Sequence, residues 1–105
     1  MSTYIHYERT GGFAGLKLST AFELDELDDE QSKQLAELLD DLDFFDLPAQ
    51  ILPPRPGADQ FTHKIEVAGK KGKHSVLTTD SAAPEKLREL IELLNLLART
   101  RRNKH

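Results

Sequence analysis

The sequence contains no cysteine and no hydrophobic run long enough to cross a bilayer. Without cysteine the chain can form neither a disulfide nor a thiolate zinc site, and it offers no cysteine nucleophile. Residues 1–7 also lack the apolar segment of a secretory signal peptide. We therefore expect a cytoplasmic protein that does not contact membranes.

The 105 residues are enough for one domain with a single core. We expect residues 1–98 to form this domain as a monomer and residues 99–105 to be a basic, disordered tail. The net charge of −4 is unevenly spread, because residues 23–46 carry a net −10 and the rest of the chain carries +6. Since the domain is acidic and no aromatic residue lies among its basic residues, we do not expect it to bind nucleic acid.

A first β-hairpin is predicted by the alternation of apolar and polar residues near the N-terminus. Apolar residues alternate over 16–24, and Ile5 and Tyr7 alternate less regularly before them. Both sets lie on one face if the numbers of paired residues sum to an odd total, as when Tyr7 is opposite Leu18, and a four-residue loop at 11–14 satisfies this condition.

A second hairpin is predicted after residue 60, where apolar side chains again alternate. The sequence Gly-Lys-Lys-Gly at residues 69–72 is suited to its turn. A symmetric turn predicts that Val67 is opposite His74 and that Ile65 is opposite Val76.

Each hairpin is followed by an amphipathic helix. The first begins after Asp28, a suitable N-cap with Gln31 three residues on, and the second begins at Pro84, which suits a first helical position. Residues 48–59 contain four prolines and are predicted to be a loop. The chain is therefore predicted to have an α+β fold in the order ββα-ββα, a four-stranded antiparallel sheet with both helices on one face.

No catalytic or metal-binding motif is found in the chain. It has no nucleophile motif, no phosphate-binding glycine loop before a helix and no zinc signature. The predicted register separates His63 and His74 by roughly 13 Å along the strands, too far for one metal ion to bind both. We expect neither an enzyme nor a cofactor.

The most specific feature is the run Arg-Thr-Gly-Gly-Phe-Ala-Gly at residues 9–15. Three glycines in five positions suit a tight loop between strands, since glycine reaches positive φ at little cost. Phe13 lies inside this run, although no turn requires a large apolar side chain. Such a residue either folds back onto the core or contacts a partner.

The sequence resembles the emfourin family over roughly residues 5–97. The glycine-rich run is the most specific part of the resemblance, and the other positions are mainly patterned apolar residues. One departure is His63, where the family's second hairpin has an aromatic residue. The matching residues are Ile5, Tyr7, the run from Arg9 to Gly15, Phe44, Phe45, Leu47, Pro48, Asp59, Phe61 and Pro84.

Emfourins are small bacterial protein inhibitors of protealysin and related thermolysin-like zinc metalloproteinases. The resemblance implies that this chain inhibits such an enzyme by reversible occlusion of its active-site cleft. The resemblance also implies a target with a hydrophobic pocket beside its zinc. We expect Phe13 to enter or cover this pocket, with the proline-rich segment 48–59 as a second contact. The predicted protease-binding residues are Arg9, Thr10, Gly11, Gly12, Phe13, Ala14, Gly15, Pro53 and Pro54.

Two alternatives stay open at this point. Phe13 could fold back over Leu16 or Tyr7 and stabilise the hairpin, which would place the inhibitory surface elsewhere. The chain could also be a non-catalytic adaptor that binds a partner through the acidic face of its first helix, at Glu37, Asp40 and Asp41.

Overall fold

The computed structural model describes residues 3–11, 17–54, 61–70 and 72–101. Single 3₁₀ turns at Leu24–Glu26 and Phe44–Asp46 precede and follow the first helix. In chain order the strands and helices are β1 (Tyr4–Gly11), β2 (Leu18–Glu23), α1 (Asp29–Leu42), β3 (Gln50–Ile51), β4 (Phe61–Gly69), β5 (Gly72–Thr79) and α2 (Glu85–Arg101).

The strands form one mixed five-stranded sheet in the order β2-β1-β4-β5-β3. The prediction of four antiparallel strands was therefore wrong, because β3 pairs in parallel with β5 at the sheet edge. The Ala49 carbonyl accepts a hydrogen bond from the Leu77 amide at 2.8 Å, and the Thr78 hydroxyl donates to the Ile51 carbonyl at 2.7 Å. A two-residue strand between prolines shows no period-two pattern, so the sequence predicted only a loop there.

The second hairpin has the predicted register, with Val67 opposite His74 and Ile65 opposite Val76. In the first hairpin the paired residue numbers sum to an odd total, as predicted, but Tyr7 is opposite Thr20, two residues away from the pairing with Leu18 that a four-residue loop would give. A shift of two residues keeps every side chain on its predicted face, and that is why the apolar pattern could not detect it. Gly11 still belongs to β1, and the remainder of the predicted 11–14 loop lies outside the described residues.

Helix α1 begins after Asp28 as predicted, and α2 begins at Glu85, one residue after the predicted first position Pro84. Asp28 is the N-cap of α1, and its carboxylate accepts a hydrogen bond from the Gln31 amide at 2.8 Å. The Pro84 carbonyl accepts from the Arg88 amide in the first turn of α2. This helix extends to Arg101, three residues into the segment predicted to be a tail.

A single core joins both helices to one face of the sheet. The buried strand residues alternate along β1, β2 and β4, and they pack with the apolar stripes of α1 and α2. Within the described residues, no helix is long and apolar enough to span a membrane. The fully buried large residues of this core include Ile5, Tyr7, Phe22, Leu35, Phe44, Ile65, Leu87, Leu90 and Leu94.

Candidate functional site

Five strand ends meet at one end of the sheet. The register places Gly11 at the end of β1 beside Phe61 at the start of β4, and Thr79 at the end of β5 beside Thr62. β2 begins at the same end, because Leu18 is opposite Arg9, and β3 ends there, because it runs parallel to β5. We call this region the loop end of the sheet.

The described residues of both predicted contact segments lie at the loop end. Residues 9–11 are the last three of β1, and Pro53 and Pro54 follow β3 after Leu52. β4 and β5 separate β1 from β3, which corresponds to about 14 Å at ordinary strand spacing. Of the predicted site residues, Gly12, Phe13, Ala14 and Gly15 lie outside the described part of the chain.

Arg9 is the charged member of the predicted site on the helix-facing side of the sheet. Its guanidinium carbon lies 4.3 Å from the centroid of the Phe61 ring, a cation–π contact that holds the side chain against β4. Its Nε is buried and has no hydrogen-bond partner among the described residues. Arg9 therefore places a guanidinium group at the start of the glycine-rich run. The group is held against Phe61, and its Nε–H donor is unused.

A groove of about 390 Å³ opens beside Arg9, between the loop end and α2. Its lining combines apolar side chains with charges of both signs, so it does not select a ligand of one charge. The lining residues are Arg9, Phe61, His63, Asp80, Ile91, Glu92, Asn95, Leu96 and Arg99.

A chain of four polar side chains lies at the back of this groove. Asp80 Oδ1 is 2.6 Å from His63 Nε2, and His63 Nδ1 is 2.9 Å from the Tyr7 hydroxyl. The Asn95 side chain also hydrogen-bonds Tyr7, and because Asn95 Oδ1 has no partner, its amide nitrogen is the donor. In the order Asn95 to Tyr7 to His63 to Asp80, each hydrogen bond has one donor and one acceptor when the imidazole carries its proton on Nε2.

His63 fills the position at which the resemblance led us to expect an aromatic residue. The imidazole is 2% exposed and stacks on the Tyr7 ring at 14° with 6.0 Å between centroids. It therefore supplies the packing of a flat ring and satisfies the buried Tyr7 hydroxyl as well. The sequence identified His63 as a departure from the family pattern. It did not predict the hydrogen-bonded partners Asp80 and Asn95, because both are distant from His63 along the chain.

The buried His63 and the half-buried His74 each form hydrogen bonds within the fold. His74 hydrogen-bonds the Leu47 carbonyl at 2.8 Å and packs edge-on against Phe44. In the stretches that the structure covers, no group of three or more potential metal-ligating side chains comes together. The imidazoles of His63 and His74 thus stabilise the fold.

Burial raises the pKa of Tyr7 to about 12, and the nearby Arg9 charge opposes this shift only in part. Because the phenol of the unfolded chain ionises near its ordinary value of 10.0, the unfolded state loses its proton first as the pH rises. We expect the free energy of unfolding to fall by about 2–3 kcal/mol between pH 10 and 12. Denaturant titrations across this range should show the fall in the parent chain, whereas Tyr7→Phe should lack this part of it.

The acidic residues of the alternative adaptor surface lie on α1. Glu37, Asp40 and Asp41 are exposed, and the last turn of the helix carries no basic residue. Asp41 has a weak contact with Lys86 of α2, 3.9 Å between charged atoms that are both well exposed. Such an exposed ion pair contributes little to stability, so the three carboxylates on this surface can interact with a positively charged partner.

Comparison with known proteins gives a structural neighbour and a family match. The structure is similar to that of emfourin from Serratia proteamaculans, an M4 family peptidase inhibitor, with a TM-score of 0.46 and 24% identity over 85% of each chain. No curated protein matches the sequence. The Emfourin family model matches residues 7–95, which is most of the chain. The chain therefore belongs to the emfourin family of peptidase inhibitors and is not itself an enzyme.

Proposed function

We propose that this protein inhibits a thermolysin-like zinc metalloproteinase by reversible occlusion of the active-site cleft, and that the loop end of the sheet is the contacting surface. Membership of the emfourin family supports the class of target. The observation that carries the choice of surface is the meeting of both predicted contact segments at one end of the sheet. Segments about 14 Å apart can contact one partner at the same time.

The area of the contact also favours two segments over one. Burial of Phe13 alone contributes about 1.5–3 kcal/mol, far less than a tight complex requires. Specific protein complexes bury about 1,200–2,000 Å² in total, so residues beyond the glycine-rich run must take part. Pro53 and Pro54 suit this role because restricted prolines lose little conformational entropy on binding.

The first test compares inhibition by the parent chain with inhibition by a variant in which Glu37, Asp40 and Asp41 are all changed to lysine. We expect the parent chain to inhibit a thermolysin-like peptidase and the variant to retain nearly the same inhibition constant. Equal inhibition is expected because the three residues are exposed on α1 and lie outside the loop end. A variant that folds but no longer inhibits would contradict the proposal and favour the acidic face as the binding surface.

A further inference from the structure

Within the described residues, the outer edge of β2 has no neighbouring strand, and one hydrogen bond shows which residues face this edge. β2 is the terminal strand of the sheet, and in this part of the chain it pairs only with β1. The Leu24 amide donates to the Thr3 carbonyl at 2.9 Å, just beyond the last strand pair. Because hydrogen-bonded pairs alternate in an antiparallel ladder, Phe22, Thr20 and Leu18 also bond to β1. The backbone groups of the residues between them point outwards.

Three residues therefore present their backbone groups at this edge: Ser19, Ala21 and Glu23. The Glu23 amide is bonded to the Glu26 carboxylate at 3.0 Å, which confirms its outward direction and closes that end of the edge. Ser19 and Ala21 are exposed, and in the described part of the chain their outward N–H and C=O groups have no partner. Two donors and two acceptors are thus available at the spacing of an added strand.

This edge lacks the features that usually prevent strand addition. Residues 18–22 contain no charged residue and no proline, and the exposed side chains of Ser19 and Ala21 are small. The opposite edge differs, because β3 has only two residues and Pro53 and Pro54 follow it. Natural sheets protect their edges with short strands, charges and prolines, so β2 is the edge left able to pair.

We propose that β2 receives an extended backbone segment of the target peptidase as an added strand, held by Ser19 and Ala21. This inference rests on the proposed function. The edge begins at the loop end, so a partner bound to the glycine-rich run already lies beside Leu18. An edge of five residues alone is smaller than a stable interface between two copies of the chain needs, but it extends a larger contact naturally.

The first test changes the outward amide without changing the inner face of β2. Ala21→Pro removes one outward donor and leaves the β1 ladder intact, because the Ala21 amide does not point towards β1. We expect it to weaken inhibition by about tenfold or more, since an added strand loses a hydrogen bond and meets the proline ring. Equal inhibition by a folded Ala21→Pro variant would overturn the proposal.

The second test uses the parent chain and does not depend on whether the proline variant folds. Amide hydrogen exchange is measured residue by residue for the chain alone and in complex with the peptidase. We expect exchange at Ser19 and Ala21 to slow by at least about tenfold in the complex. The amides of Thr20 and Phe22 are already bonded to β1 and should change little, which gives an alternating pattern.

The possible outcomes separate the proposals. Inhibition without protection at Ser19 and Ala21 would overturn strand addition and leave the inhibitory function intact. Protection of these two amides in the chain alone, rising with its concentration, would identify a second copy as the occupant and contradict our proposal. A parent chain that inhibits no thermolysin-like peptidase would overturn both the proposed function and this inference.

Discussion

Replacing Tyr7 with alanine is expected to lower the free energy of unfolding by about 4–8 kcal/mol. The side chain is fully buried in the sheet, and deleting a buried aromatic ring costs about 3–5 kcal/mol through lost burial and the cavity that remains. The change also leaves His63 Nδ1 and the Asn95 amide without their partner, which adds about 1–3 kcal/mol. Since small domains are stable by about 5–15 kcal/mol, this variant should lie close to unfolding.

Tyr7→Phe separates the hydroxyl from the ring. It keeps the packing and the stacked contact with His63, so we expect a smaller loss of about 1–3 kcal/mol. Urea titrations of the parent chain and both variants, followed by circular dichroism, measure the two losses. If phenylalanine and alanine cost the same, the ring would not be packed as the structure shows. If phenylalanine cost nothing, the polar chain from Asn95 to Asp80 would not stabilise the fold.

Replacing Phe13 with alanine is expected to raise the inhibition constant by about 10- to 100-fold. Loss of about 1.5–3 kcal/mol of apolar burial corresponds to a change of this size. Tyr4→Ala is a matched control, because Tyr4 is an exposed aromatic residue at the start of β1, at the opposite end of the sheet from the loop end. We expect Tyr4→Ala to leave the inhibition constant unchanged.

The same pair of variants decides between the two roles of Phe13. If Phe13 folds back over the hairpin, Phe13→Ala should lower the free energy of unfolding and leave inhibition by the folded fraction unchanged. If it contacts the peptidase, inhibition should weaken while stability changes little. Inhibition and urea unfolding measured on the same preparations give both quantities. Unchanged inhibition with reduced stability would remove Phe13 from the binding surface.

Residue patterns predicted most of the fold because burial follows a period that can be counted along the chain. Alternation around Ile65 and Val67 fixed the register of the second hairpin, because its turn is short and symmetric. The first hairpin was placed two residues away, since alternation fixes the face of a strand but not its position along the partner. β3 was missed because parallel pairing with Thr78 depends on tertiary contact and not on local preference.

The candidate site was predictable only in part. Arg9 and the prolines were identified from the glycine-rich run and the proline-rich segment, but their position at one end of the sheet follows from the central pairing of β1 with β4. This pairing joins two hairpins that are distant along the chain, and the sequence of one hairpin does not indicate which strand of the other it pairs with. The sequence also did not predict the edge at Ser19 and Ala21, because the strand order determines which strand lies at the edge of the sheet.

The measurement that tests the account most directly is competition between this chain and a small zinc-chelating ligand for the active site of a thermolysin-like peptidase. If the loop end occludes the cleft, the two cannot bind together. The apparent dissociation constant of the chain should then rise in proportion to the ligand concentration above the ligand's own dissociation constant. An affinity that stays the same at saturating ligand would show that both bind at once, which would contradict occlusion of the cleft.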